Sequence, residues 1–303
     1  KNEWDYINSA IASYISENGS LQQRLEEQIP VMRNNFITRL LKGSFNDINQ
    51  VESMMSFLNL KLHQQNLAVI QLGMDYNKQL QYNNLKLAQQ DILKVTVANT
   101  AEKLCSDIGA GFSVDMDPER ITILAALSQN GDNSCTTQLD QFANKVRMFV
   151  KDNFGFTVTA GISNIYDNLL LLRNAYAEAC TALDYRMIKG IDTIIFYKDI
   201  SNRIENRCHY SFNQENRIMS HLRTGDFEAI KQILEDIVNS IKYEPVSLDV
   251  VKCEYFEMIN TALKSLNELG IENTYIQNQL PSLINMKTLD EVYNEVCKFY
   301  INI

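Results

Sequence analysis

Apolar side chains recur along the first thirty residues at intervals that alternate between three and four positions. This heptad spacing is typical of a coiled coil, in which the repeated positions form the seam between helices. Asn18 falls on the first position of a heptad, where a buried asparagine fixes register and oligomer number. The pattern also suits an amphipathic helix that packs on its own domain. The predicted dimerisation seam consists of Trp4, Ile7, Ile11, Tyr14, Asn18, Leu21 and Leu25.

Two further helices are predicted between the heptad segment and the first strand. Pro30 should end or kink the heptad helix, because proline has no N–H to donate and its ring crowds the preceding turn. An amphipathic helix follows and should stop at Gly43. Asp47 or Asn49 then caps a short helix that runs through Leu58.

Short apolar runs begin after Asn66 and alternate with single helical segments. Branched apolar runs of this length are typical of buried strands. The predicted order is strand, helix, hairpin, helix, strand, helix, strand, which gives a sheet covered by helices. This α+β arrangement is a ferredoxin-like core with one extra helix and strand. Strands are expected at 67–72, 112–116, 121–127, 156–162 and 193–197, and helices at 83–107, 136–152 and 168–189.

The last part of the chain shows helical periodicity and no convincing strand. Ser247 is a good N-cap, and Gly270 should end the helix that Ser247 begins. The expected organisation is a signalling helix at 1–45, an α/β domain at 46–205 and an all-α helical domain at 206–303. The expected helices of the last domain are 214–222, 227–242, 247–269 and 289–300.

Composition excludes several kinds of site. The net charge is −9, whereas proteins that bind DNA directly usually present a basic face to the phosphates. The six cysteines never occur at C-x-x-C spacing, and the three histidines are scattered, so neither a zinc site nor a cofactor is expected. No apolar run approaches the ~20 residues that a membrane-spanning helix needs.

Short motifs in the second half of the α/β region resemble a known family. TAGISN at 159–164, ALDYR at 182–186 and IFYKD at 195–199 resemble the degenerate GGDEF-type domain of AraC-family regulators of Gram-positive bacteria. QIPVMR at 28–33 and LRTGD at 222–226 resemble the segments that flank this domain in the same proteins. The resemblance implies a nucleotide-cyclase-like fold placed before a helix-turn-helix DNA-binding domain.

The resemblance also implies a function and a cellular setting. Such a chain is expected to be a homodimeric, non-catalytic region that relays a signal from an N-terminal sensor to the DNA-binding domain. DNA would be bound only through that C-terminal domain, and the membrane only through an N-terminal part. The chain would then be a cytoplasmic segment of a bacterial membrane protein. A parent protein with a receiver domain in place of the membrane part is the alternative.

Catalysis by such a domain needs two carboxylates to hold Mg²⁺ and a glycine pair in the hairpin. Asp75 follows the first strand and could supply one carboxylate. The hairpin turn contains Asp117, Pro118 and Glu119 but no glycine pair. We therefore expect no catalytic or metal-binding residue. The simplest interpretation of Asp117 and Glu119 is that they are solvated turn residues. Together with Asp75 they could instead form a relic ligand pocket. A ligand-sensing module and a divergent nucleotidyl cyclase are the competing hypotheses.

Overall fold

A computed structural model provides the fold of the chain. The predicted heptad seam from Trp4 to Leu25 lies outside the described residues, so the coiled coil stays a prediction. The structure describes residues 28–60, 62, 65–76, 87–128, 134–201, 210–243, 246–270 and 288–301.

Five strands form a mixed sheet in the α/β part of the chain. They are β1 (Leu67–Asp75), β2 (Gly109–Asp117), β3 (Arg120–Leu127), β4 (Thr157–Ile162) and β5 (Ile194–Phe196). Their order across the sheet is β2-β3-β1-β4-β5. Strand β1 runs antiparallel to both of its neighbours, and β4 pairs with β5 in parallel. The α+β class and the predicted order of elements are confirmed.

Eleven helices are named here for the described parts of the chain. Asp47 caps α2, since its side chain accepts a hydrogen bond from the backbone N–H of Asn49 at 3.0 Å. The bounds are α1 (28–41), α2 (Ile48–Phe57), α3 (Leu87–Cys105), α4 (Cys135–Phe154), α5 (Leu172–Asp184), α6 (Arg186–Lys189), α7 (Tyr197–Ser201), α8 (Phe212–Thr224), α9 (Phe227–Tyr243), α10 (Leu248–Leu269) and α11 (Leu289–Ile301).

Helices cover both faces of the sheet. Helices α3 and α4 pack on one face, against Ile70 and Leu72 of β1. Helices α1, α2 and α5 pack on the other face, against Leu67 and Val69. Successive side chains of a strand point to opposite faces, so β1 contributes to both cores. It is buried along its whole length.

The helices α8 to α11, called the helical tail below, share a hydrophobic core with the α/β part. Ala182 of α5, Met187 of α6 and Ile195 of β5 belong to the same buried cluster as Ile233 of α9 and Val251 of α10. Burial of apolar surface on both sides stabilises this contact. The boundary predicted near residue 205 stays a prediction.

Pro30 lies within the helical residues 28–41, and the heptad helix that it should end or kink lies outside the described residues, so that expectation stays a prediction. Two local expectations differ from the structure. Strand β2 begins at Gly109, where a Cβ would lie 2.0 Å from the carbonyl oxygen of Ala126. The absence of a side chain lets the two strands pair there. The helix expected at 168–189 is instead a 3₁₀ turn followed by α5 and α6, which are separated at Tyr185.

In the part of the chain that the structure describes, no helix combines the length and the apolar character that a transmembrane span requires.

Candidate functional site

Asp75 is the last residue of β1, which extends three residues beyond the expected end at residue 72, and its residue surface is 2% exposed. The hydroxyl of Thr159 donates to Asp75 Oδ2 at 2.6 Å. The guanidinium of Arg186 lies on the other side, with Nη1 3.3 Å from Oδ1. The carboxylate is therefore held by a hydroxyl and a cation that both belong to the protein.

Two glycines allow α5 and α6 to approach the sheet at this point. A Cβ on Gly73 would lie 2.3 Å from Arg186 Nη1. A Cβ on Gly161 would lie 2.3 Å from the backbone nitrogen of Leu183. Gly73 stands two residues before Asp75 on the same sheet face. A glycine inside a strand often marks a close backbone approach. This signal in the sequence could have indicated that the predicted helix at 168–189 packs closely against the strands at Gly73 and Gly161.

Asp192 extends the contacts of Asp75 to the helix α4. Its backbone N–H donates to Thr159 Oγ1 at 3.1 Å and, more weakly, to Asp75 Oδ2 at 3.4 Å. Its carboxylate pairs with Arg147 at 2.8 Å and Lys151 at 3.1 Å. Burial opposes ionisation of Asp192, but the hydrogen bonds from these two cations outweigh it and lower the pKa of the carboxyl. Sequence reasoning missed this residue.

The hairpin carboxylates occupy a second set of contacts. Asp117 Oδ1 accepts the backbone N–H of Glu119 at 2.8 Å, which closes the turn. Glu119 itself is exposed. Arg120, the first residue of β3, pairs with Asp184 at 2.8 Å and approaches Asp117 at 3.9 Å. This geometry agrees with turn residues at 117 and 119.

The two carboxylate groups lie at the same end of the sheet, because Gly73 of β1 pairs with Arg120 of β3. Asp75 is paired with Arg186, whereas Arg120 pairs with Asp184 and only approaches Asp117. Among the described residues, no cluster of three or more histidine, cysteine, aspartate or glutamate side chains could hold a metal ion. Asp75 is therefore neutralised within the protein, and Asp117 closes the hairpin turn.

A cleft of about 590 Å³ opens elsewhere, beside β5. Neither Asp75 nor Asp117 belongs to its lining. The cleft is lined by Lys189, Thr193, Ile194, Ile195, Phe196, Lys198, Asp199 and Ile200.

Comparison with known proteins identifies the α/β part. Residues 43–185 match the model of the GGDEF-like domain. The chain contains a GGDEF-like domain. Over 299 residues it is also 23% identical to the uncharacterized HTH-type transcriptional regulator YtdP of Bacillus subtilis (strain 168). That alignment covers 97% of this chain but only 38% of the relative, so the chain corresponds to well under half of that protein.

Solved structures of GGDEF-type domains are also similar to part of the chain. One is the active GGEEF domain of a diguanylate cyclase from Vibrio cholerae, with a TM-score of 0.35, 16% identity, and coverage of 48% of this chain and 88% of that one. Another is the diguanylate cyclase SiaD of Pseudomonas aeruginosa in complex with its activator SiaC. Its TM-score is 0.33 and its identity 18%, over 63% of this chain and 82% of that one. Because both TM-scores are low, the identification of the domain rests on the family match alone.

Asp75→Asn should destabilise the GGDEF-like domain by about 3 kcal/mol, because Arg186 would stay buried without its counter-charge. The matched control is Asp115→Asn. Asp115 pairs with Lys94 at 2.6 Å, but its side chain is 73% exposed, so the loss should stay below about 1 kcal/mol. Denaturant unfolding measures both. Equal losses of unfolding free energy for the two variants would contradict the larger stabilising contribution expected of the buried Asp75–Arg186 pair.

The Asp192 ion pairs should make stability depend on pH in acid. A lowered pKa means that the ionised form is favoured by folding, so its contribution is present above the ordinary value of 3.8 and is lost as pH falls through the lowered value. Asp192→Asn removes the charge while asparagine still tolerates the positive φ of 57°. The stability difference from the wild type, measured by denaturant unfolding, should shrink as pH falls from neutral to about 3. A difference that stays constant would rule out this role.

Proposed function

We propose that the chain is the non-catalytic signal-relay and dimerisation region of an AraC-type transcription regulator. It couples an N-terminal sensor to a C-terminal DNA-binding domain that lies outside this chain. The observation that carries the proposal is the pairing of Asp75 with Arg186, because Arg186 begins the helix that packs into the core of the helical tail. The name of the Bacillus relative, an HTH-type transcriptional regulator, supports the regulatory part.

The state of the carboxylates argues against cyclase chemistry. A divalent cation at Asp75 would have to compete with Arg186, whose side chain is only 11% exposed. A displaced guanidinium would then stay buried without its partner, which is costly. In the hairpin, Pro118 has no N–H to offer, and Asp117 is used to close the turn. We therefore propose that the GGDEF-like domain does not convert nucleotides.

A continuous packing route supports the relay. Phe36 and Leu40 of α1 lie in one core with Ala175 and Ala179 of α5. Further along α5, Ala182 lies in the core of the helical tail. Since packed cores resist continuous deformation, a displacement of α1 could be passed along α5 to the tail.

The proposed setting follows from the relay. The sensor and any membrane anchor would precede the heptad segment, so that this chain is a cytoplasmic segment of the parent protein. DNA would be contacted only through the domain that follows the tail, in keeping with the net charge of −9. The proposal requires no cofactor.

Incubation of the full chain with GTP or ATP and Mg²⁺ should yield no cyclic or linear dinucleotide, because Arg186 neutralises Asp75 and Asp117 closes the hairpin turn. Chromatography of the reaction products measures this, with an active diguanylate cyclase as positive control. A dinucleotide product from the purified wild-type chain would overturn the non-catalytic assignment in favour of a divergent cyclase.

The chain should be a dimer in sedimentation at a concentration of tens of micromolar, and a monomer once residues 1–30 are removed. Parallel heptad helices bury their seam against each other, so Leu21→Asp should also dissociate the dimer. Asn18→Leu should raise stability and loosen register, because it replaces a buried polar position. A wild-type chain that sediments as a monomer would contradict the dimer.

The cleft beside β5 favours a second function, direct sensing of a cytosolic metabolite. Its lining combines apolar side chains with Lys189, Lys198 and Asp199, which could orient a polar ligand. A ligand present at ~100 times its Kd would add roughly 2.7 kcal/mol of stability. A thermal-shift screen therefore separates this function from a relay that binds no ligand.

A further inference from the structure

Three consecutive residues at the break between α5 and α6 bind three different parts of the molecule. Asp184 pairs with Arg120 at the hairpin at 2.8 Å. The hydroxyl of Tyr185 donates to the carbonyl oxygen of Val246 at 3.2 Å, at the entrance to α10 of the helical tail. Arg186 pairs with Asp75 at the end of β1. The residues 184–186 are called the junction below.

We propose that the junction is the coupling site between the former catalytic end of the sheet and the helical tail. A displacement of the hairpin or of the end of β1 would reach the tail through these three side chains. The inference rests on the relay function proposed above and assigns that function to specific residues.

The helical geometry explains how neighbours along the chain reach separate partners. Successive side chains of an α-helix diverge by about 100°. The backbone stays close to helical at the break, where the N–H of Tyr185 donates to the carbonyl of Thr181 at 3.1 Å. The three junction side chains therefore point in three directions and contact three separate parts of the molecule.

Asp184 also bridges the hairpin and the tail directly. Besides its pair with Arg120, the Asp184 carboxylate has a second cation nearby, since Nζ of Lys252 in α10 lies 3.9 Å from Oδ2. One carboxylate thus lies between a cation of the sheet and a cation of the tail. Charge on Asp184 attracts both, so loss of either partner changes the field that the other experiences.

Burial limits the positions that two of the junction side chains can adopt. Tyr185 and Arg186 are each 9% exposed. Arg186 occupies the space beside Gly73 where any side chain would collide with it. Buried polar groups are costly to leave unpaired, so these residues have few alternative positions while their partners stay in place.

Hydrogen exchange of the full chain, followed by mass spectrometry, tests the coupling. Arg120→Gln alters the hairpin end of the sheet and should accelerate exchange across residues 248–262 of α10 about fivefold, the effect of losing one hydrogen bond. In an Asp184→Asn background, Arg120→Gln should add little further acceleration, because the route is already broken. Acceleration confined to β2, β3 and α5 would overturn the proposal.

A conservative variant keeps the test informative if the charge variants unfold. Tyr185→Phe removes only the hydroxyl that binds Val246, and should also accelerate exchange at the start of α10. The matched control is Tyr166→Phe, whose hydroxyl donates to Glu178 Oε1 at 2.8 Å beside Leu67, at the end of β1 opposite Asp75, and it should leave α10 unchanged. Equal effects of the two variants on α10 would refute the coupling.

The result separates the junction from the relay function as a whole. If Arg120→Gln accelerates exchange only near the hairpin, while the chain is dimeric and makes no dinucleotide, the relay function stands and the coupling through the junction is wrong. If Arg120→Gln accelerates exchange in α10 of a chain that does make dinucleotide, the coupling through the junction stands and the non-catalytic function is wrong.

Discussion

The buried ion pair between Asp75 and Arg186 is the interaction on which the rest of this arrangement depends. A carboxylate at 1% side-chain exposure must be compensated, and its partner comes from a residue 111 positions later in the chain. To bring Arg186 to the sheet, α5 and α6 must lie directly on β1 and β4. That approach requires glycine at positions 73 and 161.

The same approach determines where the helical tail lies. Once α6 is anchored at the end of β1, Met187 and its neighbours present an apolar surface away from the sheet, and α9 and α10 complete that core. The GGDEF-like domain and the tail are therefore joined by packing and by the polar contacts of residues 184–186. This is more contact than a connecting peptide would provide, and it gives a physical basis for a relay.

Fold alone does not specify function, so the role of the GGDEF-like domain depends on the contacts made at the end of its sheet. In this chain the end of β1 and the hairpin still lie together, as they must for the strands to pair. Arg186 pairs with Asp75, and Arg120 pairs with Asp184. This end of the sheet therefore carries ion pairs that join distant parts of the chain.

Much of the secondary structure was determined by local sequence. The apolar runs predicted all five strands, the turn at Asp117-Pro118-Glu119 predicted the hairpin, and Asp47 caps α2 as expected. These features depend on side chains within a few positions of one another, which is why periodicity and capping rules find them. The heptad pattern of Trp4 to Leu25 stays a prediction.

Only the tertiary structure decided what the candidate residues do. Asp75 was visible as an acidic residue near a strand end, but its partners Thr159 and Arg186 are distant in sequence and are selected by packing. The break at Tyr185 likewise has no glycine or proline to mark it. It depends on contacts that form only when the helical tail folds against the sheet. Sequence therefore determined the elements and the carboxylates, whereas long-range packing determined that these carboxylates are paired within the protein.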